Sequence, residues 1–161
     1  AIVEGFRELA EGLDYNVIGG TATAAIPWAA FLAAYLHKPM IYIRPEKKEH
    51  GVGKQIEGYL PKDTKVLIIE DLISTGGSSV KAAEAVREAG SIVTDVLAIV
   101  SWELSKSVER FKEAGLNLKT MTGYEDIIKL AVERGAISED KLATVLKFKE
   151  DPAGWAEKMN F

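Results

Sequence analysis

The run Val66-Leu67-Ile68-Ile69 is apolar without alternation and passes straight into Glu70-Asp71, and Val96 to Val100 is a second unbroken apolar run. A strand with one face in water alternates polar and apolar residues. A strand that does not alternate is buried on both faces, as inside a parallel sheet covered by helices. Between the two runs lies SSVKAAEAVREAG, with Val80, Ala83 and Val86 at helical spacing and Gly90 closing the segment. Strand, helix and strand in that order predict a right-handed crossover between parallel neighbours. The feature therefore predicts an α/β fold: a central, mostly parallel sheet flanked by helices.

The rest of the chain continues the alternation. Ile2, Phe6, Leu9 and Leu13 share one face of an opening helix, and YNVIGG reads as a short strand entering a glycine turn. AIPWAAFLAAYLHKP reads as a helix between Pro27 and Pro39, with His37 at its C-terminal end as a partner for the helix dipole. MIYIR reads as a strand and PEKKEHGVGKQIEGYL as a loop or loose hairpin. After the two apolar strands come a helix in SKSVERFKEAG, a short edge strand in NLKTM and two terminal helices, with Trp155 and Phe161 anchoring the last. Trp102 and Glu103, after the second apolar strand, read as a wall of the sheet edge. No repeat or linker interrupts the 161 residues, which predicts one domain over 1–161.

Composition removes several classes of function. With 20 basic and 24 acidic residues the net charge is -4, which argues against a nucleic-acid binder driven by bulk charge and leaves only a local basic patch. The absence of cysteine excludes disulfides, thiolate metal sites and a thiol nucleophile. No apolar run approaches the roughly 20 residues that span a membrane. The cytoplasm is the expected compartment.

The chemistry lies where the first apolar strand ends. In a wound α/β sheet, ligands sit beyond the carboxyl ends of the strands. Glu70 and Asp71 stand there, suited to accept hydrogen bonds from a sugar diol or to sit beside hydrated Mg2+. Ser74, Thr75, Gly76, Gly77 and Ser78 follow, at the start of the next helix. Unpaired N–H groups and the helix dipole favour a phosphate there, and the glycines admit a close approach. Diol, metal and phosphate together describe a ribose 5-phosphate. A solvated strand end with a helix cap is the plainer alternative. The loop has no lysine after Gly77, so it is not a Walker A loop, and it lacks G-x-G-x-x-G.

VLIIEDLISTGGS resembles the phosphoribosyl-diphosphate (PRPP) motif of type I phosphoribosyltransferases. The resemblance implies that motif's ligand set from Glu70 through Asp71, Leu72, Ile73, Ser74, Thr75, Gly76 and Gly77 to Ser78. Glu70 and Asp71 would face the ribose hydroxyls, and Ser74 to Ser78 would wrap the 5-phosphate. YIRPEKKEHGVGKQIEG is similar to the mobile catalytic loop of orotate phosphoribosyltransferases, VIGGTATAAIP to their pyrophosphate-side loop, and the tail from Asn117 to Trp155 to their C-terminal end. The resemblance implies that Arg44, Lys47, Lys48 and His50 bind PRPP, with Lys48 and His50 catalytic. It implies Ser74 against orotate and Mg2+ carried by PRPP rather than gripped directly by the protein. It also implies a homodimer whose loops reach across to the partner's site. The chain differs from the family at Pro45, Ala24 and Trp28, and begins after the point where relatives carry a base-holding N-terminal segment. The function expected is transfer of the phosphoribosyl group from PRPP to orotate. A phosphoribosyltransferase for another base, or a PRPP-sensing regulator without turnover, stands beside it.

Overall fold

The computed structural model describes residues 1–46 and 55–155. A six-stranded sheet runs β1 (Val17–Thr21), β2 (Met40–Ile43), β3 (Ile56–Glu57), β4 (Val66–Ile73), β5 (Asp95–Ser101) and β6 (Asn117–Gly123), in the spatial order β3-β2-β1-β4-β5-β6. Every pairing is parallel except β2 with β3. The strand order reverses between β1 and β4, so the site-bearing ends of these two strands lie side by side.

Side chains of β4 leave alternately for the two faces, and each face has its own helical layer. Leu67 and Ile69 pack with Phe6 of α1 (Ile2–Leu9) and with Ala29 and Leu32 of α2 (Ile26–Leu36). Val66 and Ile68 pack with Ala83 and Val86 of α3 (Gly77–Glu88) and with Phe111 of α4 (Ser105–Glu113). Each fully buried Leu or Ile contributes about 1.5–3 kcal/mol, so the absence of alternation in β4 reflects a sheet buried from both sides.

Four details differ from the sequence expectation. Gly19 and Gly20 lie inside β1 rather than in a turn. A Cβ on Gly19 would stand 2.9 Å from Val66 Cγ1, and one on Gly20 2.8 Å from Ala29 Cβ, so both allow close packing onto β4 and α2. β4 does not stop at its acids, because pairing with β5 continues through Leu72↔Val100 and Ile73↔Ser101. β6 is a full edge strand, held to β5 from Asp95↔Asn117 to Ser101↔Gly123.

The fourth concerns the tail. α5 (Tyr124–Glu133) is regular, but the second terminal helix is broken into 3-10 turns at Glu139–Lys141 and Lys147–Lys149 around a short α6 (Leu142–Leu146). Phe148 sits 5.1 Å from the Trp102 ring, 5.5 Å from Tyr124 and 5.8 Å from Trp155. Lys149 reaches Glu125 at 2.5 Å and Glu103 at 3.7 Å. This local packing wins over the helical period. Trp102 thus stacks on Tyr124 at the edge of the sheet, and Trp155 anchors the tail as expected; Phe161 lies outside the described residues.

Candidate active site

Glu70 is buried, at 6% exposure. Its Oε1 lies 2.5 Å from the Thr21 hydroxyl at the end of β1, and its Oε2 accepts the Ser79 hydroxyl of α3 at 3.1 Å. One carboxyl group therefore joins β1, β4 and α3. Burial pushes it up to about 7; the hydrogen bonds from Thr21 and Ser79 pull it back, and the neighbouring Asp71 adds to the rise. Asp71 is half-buried, and the pleat starts its side chain toward the opposite face. The two acids are adjacent in sequence but stand in different surroundings.

Beyond them the chain makes the small-residue turn. Leu72 and Ser74 are exposed, whereas the Ile73 side chain is in the core and its carbonyl accepts the Trp102 N–H at 2.9 Å. Gly76 has φ +75° and precedes the first turn of α3. A Cβ there would be strained and would stand 2.8 Å from the Phe111 ring, so the position requires glycine. No side chain caps α3, which leaves its first N–H groups without an intrahelical acceptor.

Thr75, Gly77 and Ser78 border a cavity of about 670 Å³, which Thr21, Ala22 and Arg44 also line. The peptide bond between Ala22 and Thr23 is cis. Arg44 is 3.7 Å from Glu57, its N–H donates to the Gln55 carbonyl at 2.9 Å, and its own carbonyl accepts Gln55 Nε2 at 2.8 Å. Pro45, at the start of the expected catalytic loop, and Glu46 and Gln55 within it also line the cavity. Lys47, Lys48 and His50 lie outside the described residues. The structure brings Arg44 and the small-residue turn together around one cavity; Glu70 and Asp71 are not part of that lining.

Three residues at this site were not legible as such in the sequence. Thr21 and Ser79 are the partners of Glu70, and Arg110 of α4 donates from Nη1 to the Thr75 carbonyl at 3.1 Å and to the Thr75 hydroxyl oxygen at 3.0 Å. Ser79, just inside the helix, carried a weak signal. Arg110 carried none, because it lies a whole strand and helix beyond the motif.

An acidic pair near the end of β4, followed by an uncapped, glycine-opened helix at the switch point of a mostly parallel sheet, is the arrangement expected of the phosphoribosyltransferase motif. Residues 1–114 match the family model of the phosphoribosyl transferase domain. The orotate phosphoribosyltransferase of Listeria monocytogenes serotype 4b is 43% identical over 144 residues, 89% of this chain and 69% of that protein. The structure of orotate phosphoribosyltransferase from Aeropyrum pernix aligns with a TM-score of 0.74 at 30% identity, covering 85% of this chain and 76% of that one. The Mycobacterium tuberculosis enzyme in complex with PRPP aligns with a TM-score of 0.62 at 30% identity, covering 78% and 73%. The chain belongs to the orotate phosphoribosyltransferase family.

Proposed function

We propose that this chain transfers the 5-phosphoribosyl group of PRPP to orotate, giving orotidine 5-phosphate and pyrophosphate in pyrimidine biosynthesis. The observation that carries this reading is the Ser74–Ser78 turn opening α3 without a side-chain cap, beside Asp71 and at the rim that holds Arg44. Its support from outside the chain is the similarity to the Listeria enzyme and to the mycobacterial enzyme in complex with PRPP.

In this mechanism the N–H groups of Gly76, Gly77 and Ser78 take the 5-phosphate. Asp71, the less buried of the two acids, accepts hydrogen bonds from the ribose hydroxyls, while Glu70 holds Thr21 and Ser79 behind it. Arg44 and Lys47 bind the diphosphate. Lys48 and His50 meet the negative charge that grows on the leaving oxygens as the ribose becomes oxocarbenium-like. Ser74, exposed beside the phosphate turn, contacts orotate. The hard oxygens of PRPP suit Mg2+, which the substrate would carry into the site, with Glu70 and Asp71 nearby rather than as direct ligands. When bound, Mg2+ neutralises diphosphate charge.

Residues 1–161 act as one phosphoribosyltransferase domain. The chain works as a homodimer through the outer face of α2, where Phe31 and Tyr35 are 59% and 53% exposed and Trp28 packs edge-on to Phe31 at 6.4 Å. The cytoplasm is the compartment proposed; among the described residues no helix is long and apolar enough to cross a membrane.

The deciding experiment is pyrophosphate release with PRPP, Mg2+ and, in separate reactions, orotate, uracil, hypoxanthine and adenine. Turnover with orotate alone is expected. Release with another base and not with orotate moves the chain to another branch, and PRPP binding without release under any base makes it a sensor.

A further inference from the structure

Arg110 forms no ion pair among the described residues, although Glu113 and Glu84 border the same cavity. Its guanidinium is spent on the turn instead. One terminal nitrogen donates to both the carbonyl and the hydroxyl oxygen of Thr75, at 3.1 and 3.0 Å. The contact is built from both sides. A Cβ on Gly77 would stand 2.9 Å from Arg110 Nη1, and one on Gly76 2.8 Å from the ring of Phe111. Consecutive residues of α4 therefore brace consecutive glycines of the turn.

This contact has chemical consequences for an anion. In a trans peptide the C=O and the following N–H point in opposite directions. Holding the Thr75 carbonyl on the α4 side therefore sends the Gly76 N–H the other way. A hydroxyl oxygen that already accepts from a cation keeps its own proton to donate. The guanidinium also adds a fixed positive charge to the cavity wall beside Thr75, Gly77 and Ser78.

We propose that Arg110 is a positioning residue for the phosphoryl end of the substrate. It fixes the Thr75–Gly76 peptide so that the turn presents N–H groups and the Thr75 O–H to a phosphate. This rests on the reading of Ser74–Ser78 as the phosphate turn.

The test measures ribose 5-phosphate and pyrophosphate separately, by calorimetry, on wild type, Arg110→Met and Arg110→Lys. Arg110→Met is expected to weaken ribose 5-phosphate about tenfold to a hundredfold, the usual consequence of losing a charged hydrogen bond. Pyrophosphate affinity should change less than twofold, and Arg110→Lys should restore most of the ribose 5-phosphate binding. A merely structural residue would move both ligands together, and that result overturns the proposal, as does wild-type affinity in Arg110→Met. If Arg110→Met does not fold, Arg110→Gln is combined with Thr75→Val. Losses in ribose 5-phosphate affinity that fail to add support the contact, and strict additivity overturns it. The underlying reading is checked on wild type alone, through the amide resonances of Gly76, Gly77 and Ser78. If ribose 5-phosphate leaves them unmoved, the phosphate turn and the role of Arg110 fall together; if they move and Arg110→Met still binds normally, only Arg110 falls.

Discussion

Burial raises the carboxyl of Glu70 well above the ordinary carboxylate range, so the ionisation of this residue bears on stability. Its carboxyl titrates near 7 when folded and near 4.5 as an unperturbed group. Below the lower value both states are protonated and the group is neutral to stability. Between the two, the folded state holds the extra proton, so stability falls as pH rises, and the decline ends above the folded value. Glu70→Gln is expected to flatten this part of the profile. The difference between wild type and variant, read by chemical denaturation from pH 4 to 8, should approach about 3 kcal/mol at most. An unchanged slope would mean that another group carries it. Asp71 is expected to contribute to ligand binding rather than to the fold. Asp71→Asn should leave the melting temperature close to wild type and weaken PRPP with Mg2+ on the order of 10–100-fold in calorimetry. Unaltered affinity would remove Asp71 from the site.

At the scale of the element, the turn between β4 and α3 is specified by what lies behind it. Gly76 takes φ +75° and carries no side chain because Phe111 of α4 fills that space. Gly76→Ala combines a left-handed backbone with overlap on a buried ring. It should cost about 1–3 kcal/mol from the backbone alone, with more from the overlap, measured by urea unfolding. A loss below about 0.5 kcal/mol would show that the turn relaxes freely. The same element explains why an acidic strand end survives here. Thr21 and Ser79 satisfy Glu70 from two other elements, so β4 runs on through its acids while its ladder with β5 stays intact.

For the whole molecule the open matter is the outward face of α2. The helix is apolar all round: Ala29, Leu32 and Ala33 are buried, while Phe31 and Tyr35 stand on the surface. A two-fold interface there would cover them, and we propose that residues of the 45–59 segment then serve the partner's site. Lys48→Ala and Asp71→Asn, each nearly inactive alone, are therefore expected to recover activity when subunits exchange. A shared-site heterodimer has one site with both lesions and one with neither, so it approaches half of wild-type activity. Exchange proved by native mass spectrometry without recovery would mean that each loop serves its own chain.

Much of this architecture follows from local pattern. The unbroken run Val66–Ile69 requires a strand covered on both faces, and the helical spacing of Val80, Ala83 and Val86 requires a helix between it and the next strand. The small residues from Ser74 to Ser78 require a close approach to something. These properties belong to a few neighbouring residues, so the sequence alone carried them, together with the family resemblance. What depends on distant residues did not show. The sequence could not say that Gly19 and Gly20 sit inside a strand, since the reason is the close approach of Val66 to Gly19 and of Ala29 to Gly20. Nor could it say that the adjacent acids occupy different surroundings, since Thr21 and Ser79 reach Glu70 only after three elements meet. Arg110 meets Thr75 across 35 residues, and Phe148 breaks the terminal helix to join Trp102 and Tyr124. Periodicity fixes which face a residue takes; only tertiary packing decides what that face meets.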